Sequence, residues 1–143
     1  MYSIIYRSVA APKFSKFDIY QMLSKARSFN NDNDITGCLL YHNNEFVQLL
    51  EGEKEKINSL FDNIKKDKRH EKIQTLDEME IAERIFIDWD MAYHDFSDNN
   101  TSVPHEKMRQ IDAIFDKSGA FTKPSRLSMD FFKNVNQILF KKS

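Results

Sequence analysis

Apolar positions along the first two thirds of the chain fall into short runs whose period changes from one to the next. Residues 2–8 are rich in β-formers and stop at Ala10-Ala11-Pro12, which predicts a first strand. The following Phe14-Ser15-Lys16-Phe17-Asp18-Ile19 has the signature of a helix start, with Ser15 as N-cap, Asp18 closing a capping box, and Phe14 and Ile19 spaced for a hydrophobic staple. Ile19, Leu23 and Ala26 then recur at helical spacing. The next inward position is Asn30, an amide where another apolar residue is expected, and Asn31-Asp32-Asn33-Asp34 ends the helix.

Two further strands are predicted over residues 35–41 and 45–50, joined by His42-Asn43-Asn44, whose asparagines tolerate the positive φ of a tight hairpin. Gly52 ends the second of them. A second amphipathic helix begins near Glu53 and directs Ile57, Leu60, Phe61 and Ile64 inward, with Lys65 to His70 as its polar exit. Strands over residues 72–81 and 85–93 complete a β-α-β-β-α-β-β order. This is an α+β, ferredoxin-like arrangement with both helices on one face of the sheet. The other face then needs cover, and the tail supplies two apolar stripes. Met108, Ile111, Ile114 and Phe115 form one; Phe131, Val135, Ile138 and Leu139 form the other, with a turn-rich stretch containing Gly119 and Pro124 between them. Residues 1–95 are thus expected to form the core and residues 96–143 a helical cap, both in one compact unit.

Within this pattern one residue stands out. Phe46, Gln48 and Leu50 share one side of the third strand, while Val47 and Leu49 share the other, so Gln48 is the polar position on two apolar faces. An amide with two donors and two acceptor lone pairs costs on the order of 1–3 kcal/mol when buried without partners. In a ferredoxin-like sheet the first and third strands are neighbours, which brings Tyr6 and Gln48 to the same side as the helix that carries Asn30. Each alone also suits ordinary core packing. Three polar groups aimed into one apolar cleft resemble a small-molecule site.

Composition narrows the function classes. Lys plus Arg (21) nearly balance Asp plus Glu (22), so no global field draws nucleic acid or an acidic membrane. The single Cys38 lies in an apolar run and reads as a small core residue in a reducing compartment. With no signal-peptide pattern and no run long enough to span a bilayer, a cytoplasmic protein is expected. The sequence has no zinc-ligand spacing and no nucleophile-base pair, and its three glycines make no dinucleotide fingerprint.

The site residues also carry a family resemblance. Tyr6, Phe29-Asn30, Ile35-Thr36-Gly37-x-Leu39-Leu40-Tyr41, Phe46-x-Gln48-x-Leu50-Glu51-Gly52, Asp67-x-Arg69-His70 and Phe86-x2-Trp89-x-Met91 occur in an order that resembles a BLUF domain, a blue-light sensor using FAD. The resemblance covers roughly residues 1–95, and the tail with no recognisable effector is similar to that of short, stand-alone BLUF photoreceptors. It implies FAD between the two helices, with Met22 and Ile64 flanking the isoalloxazine ring. Asn30 would bond the C4 carbonyl and N3 edge, and Gln48 would bridge Tyr6 to N5 and O4. Arg69 would lie near the C2 carbonyl, with Asp67, His70 and Lys25 as further contacts to ring, ribityl or phosphate. Under blue light Tyr6 would supply an electron and a proton through Gln48. The amide would be left rearranged, by rotation or tautomerisation, and sensed by Trp89 and Met91, which are expected on one face of the last strand. The implied output is a homo-oligomer acting through a separate regulator protein, with no nucleic acid or membrane partner.

Two readings from other classes compete. A ferredoxin-like interaction module without flavin explains the fold and the amphipathic tail, yet leaves Tyr6, Asn30 and Gln48 facing one cavity unexplained. An RNA-binding sheet would need exposed aromatics and a basic stripe, and neither is recognisable.

Overall fold

The computed structural model describes residues 1–12, 14–42, 44–95 and 129–140. Its elements are β1 (Tyr2–Ala10), α1 (Lys16–Asp32), β2 (Thr36–His42), β3 (Glu45–Gly52), α2 (Lys54–Lys65), β4 (His70–Glu80), β5 (Ala92–Asp95) and α3 (Met129–Val135), which runs into a π-helical turn, Asn136–Phe140. The sheet order is β4-β1-β3-β2-β5, antiparallel except for the parallel β2–β5 pair. This is the ferredoxin-like α+β arrangement expected from the element order, with β5 added at one edge.

Local chemistry explains the boundaries. At the start of α1, Asp18 N–H donates to Ser15 Oγ at 3.2 Å and Ser15 N–H donates to Asp18 Oδ2 at 2.9 Å, the reciprocal capping box read from the sequence. The Ser15 N–H and hydroxyl, both donating to Asp18 Oδ2 at 2.9 Å, hold the Asp18 carboxyl below its ordinary range. Asp34 (φ 54°) and Asn44 (φ 66°) occupy the left-handed region just past α1 and in the β2–β3 hairpin, where short polar side chains are tolerated. Asn43 lies outside the described residues. Lys72 (φ 54°) marks an irregularity in β4, where the register against β1 shifts between Arg7 and Val9. As an outer strand, β4 exposes Glu71, Glu78 and Glu80 to solvent.

Alternation along the strands divides the core in two. On one side Ile4, Tyr6, Leu39, Phe46 and Leu50 pack with Ile19 and Leu23 of α1 and Ile57 and Phe61 of α2. On the other, Ile5, Cys38, Leu40, Val47 and Leu49 pack with Phe86, Phe131, Phe132 and Val135. The second tail stripe therefore covers the face that needed cover. The first stripe, Met108 to Phe115, and the turn with Gly119 and Pro124 lie outside the described residues.

The chain between β4 and β5 departs from expectation. The strand expected over residues 85–93 does not form as such, and β5 begins only at Ala92. The backbone donors of this stretch are taken elsewhere. Ile85 N–H donates to Glu51 Oε2 at 2.8 Å and Phe86 N–H to Glu51 Oε1 at 2.7 Å. Trp89 N–H donates to the Phe86 carbonyl at 3.0 Å, and the Trp89 carbonyl accepts from Gly37 N–H at 3.2 Å. The result is a strap that crosses from one core to the other. Gly37 is required beneath it, because a Cβ there would collide with the Leu49 carbonyl and lie 3.4 Å from Met91 Cε.

Candidate functional site

A cleft of ≈ 260 Å³ opens between the first core face of the sheet and the two helices. Tyr6 and Gln48 are directly opposed partners on β1 and β3, so their side chains leave the sheet side by side. The buried Tyr6 hydroxyl donates to Gln48 Oε1. Gln48 Nε2 in turn donates to Met91 Sδ at 3.4 Å. Burial pushes the Tyr6 phenol well above its ordinary pKa, with the charge of Asp67 adding to the shift, so it stays protonated at neutral pH. Its ring lies 5.2 Å from that of Phe61.

Asn30, 1 % exposed, donates through Nδ2 to the Asp90 carbonyl at 2.8 Å. That bond fixes which way the amide points and leaves its oxygen and second N–H available to the cleft. Met22 and Lys25 of α1 and Ile64 of α2 line opposite walls. At the mouth Asp67 and Arg69 pair with each other, Arg69 Nε lying 2.9 Å from both carboxylate oxygens. The guanidinium holds the Asp67 carboxyl below its usual range, and the carboxylate raises Arg69. His70 also lines the cleft, yet both ring nitrogens are engaged: Nε2 with the Ile64 carbonyl at 2.7 Å and Nδ1 with Ser8 Oγ at 2.9 Å. Because a carbonyl only accepts, Nε2 carries the proton in the neutral ring.

Every residue singled out from the sequence lines this cleft except Trp89. The expectation that Trp89 and Met91 share one strand face is corrected here. They sit in the strap, where Met91 joins the cleft-side core and Trp89 joins the opposite one, its ring 5.6 Å from Phe140. Sequence reasoning also missed Glu51, fully buried, whose carboxylate accepts from Thr36 Oγ1 at 2.9 Å as well as from the strap. In the sequence it stands only as part of the family pattern, with no role assigned. The apolar lining contributed by Phe14, Leu39, Leu60 and Phe29 was likewise not singled out.

Residues 1–92 match the family model described as sensors of blue-light using FAD. The chain belongs to the BLUF family. Over 84 residues it is 37% identical to photoactivated adenylate cyclase subunit alpha of Euglena gracilis, covering 59% of this chain and 8% of that protein. Over 115 residues it is 32% identical to the blue light- and temperature-regulated antirepressor BluF of Escherichia coli, covering 80% of this chain and 27% of that one. It thus spans less than a third of either curated relative. Among solved structures, the photo-activated state of BlsA superimposes with a TM-score of 0.77 at 32% identity, over 99% of this chain and 96% of that one. The dark state of the BLUF protein BlrB gives 0.73 at 25% identity, over 96% and 93%.

BLUF domains bind FAD, and the cleft suits its ring. The cleft volume lies just below the usual range of ligand sites, so it suits a flat ring system and not a whole dinucleotide. Apolar walls from two helices face each other, and the amides of Asn30 and Gln48 supply donors and acceptors at one edge. Among the described residues no group of His, Cys, Asp or Glu is placed to hold a metal ion, and no helix is long and apolar enough to cross a membrane.

Proposed function

We propose that this BLUF domain is a blue-light switch in which the Gln48 amide is the moving part. The observation that carries this reading is the chain of contacts Tyr6 hydroxyl to Gln48 Oε1 and Gln48 Nε2 to Met91 Sδ. One end of the amide holds a buried phenol, and the other is parked on a thioether, a weak acceptor. Turning the amide by half a turn would set its oxygen against sulfur and its NH2 against the phenol oxygen. That arrangement holds only if the NH2 or the phenol finds a better partner at the ring edge, so two states of similar energy are separated by one side-chain rotation.

Bound FAD, excited by blue light, supplies a strong oxidant. Tyr6 would supply an electron and its proton, with Gln48, to which it is bonded, as the relay, and would recover both, so no residue would be left oxidised. Gln48 is left rearranged, by rotation or tautomerisation. Asn30 would hold one polar edge of the ring and Met22 and Ile64 its faces, while Arg69, Asp67, His70 and Lys25 would serve the ring margin and the ribityl or phosphate groups. Because the strap carries Met91 on one side of the sheet and Trp89 on the other, displacement of Met91 reaches the tail through the Trp89–Phe140 contact. A cytoplasmic homo-oligomer that docks a separate regulator would read that displacement, with residues 96–143 acting as the cap of one unit with the core.

The purified protein is expected to be yellow, with a flavin spectrum that shifts reversibly to the red under blue light. A protein that stays colourless with added FAD would sink the reading. Tyr6→Phe should abolish the photocycle, and Gln48→Leu should keep the flavin while losing the normal red shift. Met91→Ala should keep the red shift but lose light-dependent change in the tail, measured by hydrogen exchange of residues 129–140.

A further inference from the structure

Two side chains of α1 take hold of the main chain just ahead of β5. Arg27 Nε donates to the Met91 carbonyl at 3.0 Å, and Asn30 Nδ2 donates to the Asp90 carbonyl at 2.8 Å. Positions three apart share a helix face, so the two reach the strap together. Met91 is therefore held twice: by its backbone through Arg27 and by its side chain through Gln48 Nε2 at 3.4 Å.

These two holds differ in strength. A thioether is a weak acceptor and cannot by itself keep Met91 beside Gln48. A hydrogen bond from a guanidinium is charge-assisted. The grip on Met91 thus comes from outside the cleft, since Arg27 is not among the cleft-lining residues.

We propose that Arg27 is a positioning residue for the light response: by fixing the Met91 main chain it keeps the thioether within reach of Gln48 and sets how fast the amide regains its resting orientation in the dark. This rests on the photoreceptor reading above. If the Met91 grip belongs to the resting arrangement, and is remade as the amide returns, removing it slows the return. Arg27 itself lines no part of the cleft and touches neither Tyr6 nor Gln48, so flavin content and red shift are retained.

The test compares wild-type, Arg27→Met and Arg27→Gln proteins, each loaded with FAD, for red-shift amplitude and dark-recovery lifetime. The same Arg27→Met substitution is then placed in a Met91→Leu background. Arg27→Met is expected to lengthen recovery about 3–10-fold, the effect of one modest hydrogen bond, with Arg27→Gln in the same direction. In the Met91→Leu background, with no thioether to position, it should change recovery by less than about 2-fold, a non-additivity that general loosening would not produce. Recovery within about 2-fold of wild type for both single variants, or an equal multiplicative effect in both backgrounds, would overturn the proposal. A wild-type protein that binds FAD yet shows no red shift would instead overturn the photoreceptor reading, and this proposal with it.

Discussion

Gln48 and Glu51 lie three residues apart on β3 and point to opposite faces of the sheet, and both are buried polar groups. Glu51 is locked. Its two oxygens accept from Thr36 Oγ1 and the Ile85 and Phe86 amides, while Arg84 lies close by, donating to Thr36 Oγ1 at 3.0 Å and to the Asp34 carbonyl at 2.7 Å. Gln48 is held by one phenol and one sulfur. The number and quality of partners, more than burial, separates an anchor from a switch. A carboxylate whose partners all donate has one good orientation, whereas an amide between two partners that can each be traded has two.

The contrast is broken most severely at the anchor. Glu51→Ala leaves two backbone donors and a threonine hydroxyl buried without acceptors, and is expected to cost about 3–5 kcal/mol of unfolding free energy in chemical denaturation. Gln48→Leu strands only the Tyr6 hydroxyl and should cost about 1–2 kcal/mol by the same measurement, although it is expected to remove the light response. If the two costs were equal, the distinction drawn here would fail. Thr36→Val removes one of three donors to Glu51 and should cost about 1 kcal/mol, leaving the red shift intact in absorption spectra. The smallest effect belongs to the half-exposed pair at the cleft mouth. Because Arg69 lowers the folded-state pKa of Asp67, the pair stabilises the fold above the ordinary carboxylate range, and that contribution is lost as pH falls through the depressed value. Melting temperature should therefore fall less on acidification in Asp67→Asn than in wild type.

The anomaly at Gln48 was legible in the sequence, and the anchor at Glu51 was not. Strand alternation exposes Gln48 as anomalous on an apolar face, and element order alone makes Tyr6 its neighbour, as the direct Tyr6–Gln48 register shows. Asn30 follows from helical period. Glu51 hides beside Gly52 at a strand end, where a carboxylate usually meets water, and its burial depends on residues 84–86, far along the chain. The same long-range contact explains the failure at Trp89 and Met91. Ile85-Phe86-Ile87-Asp88-Trp89-Asp90-Met91 has strand-like alternation, but its first amides go to Glu51 and not to a ladder, so the segment crosses the sheet and parts the pair. Arg27, unremarked in the sequence, gains its partner only where the fold brings the strap's carbonyl to it.

The acidic outer strand bears on how copies of the chain meet. Two β4 strands set edge to edge would stand about 4.8 Å apart and bring Glu71, Glu78 and Glu80 of each copy close to their counterparts. Like charges at that spacing repel by about 1 kcal/mol per pair even in water, before any partial burial strengthens them. A growing ribbon of sheets is disfavoured from this side, and the charge on β4 guards that edge against pairing with another strand.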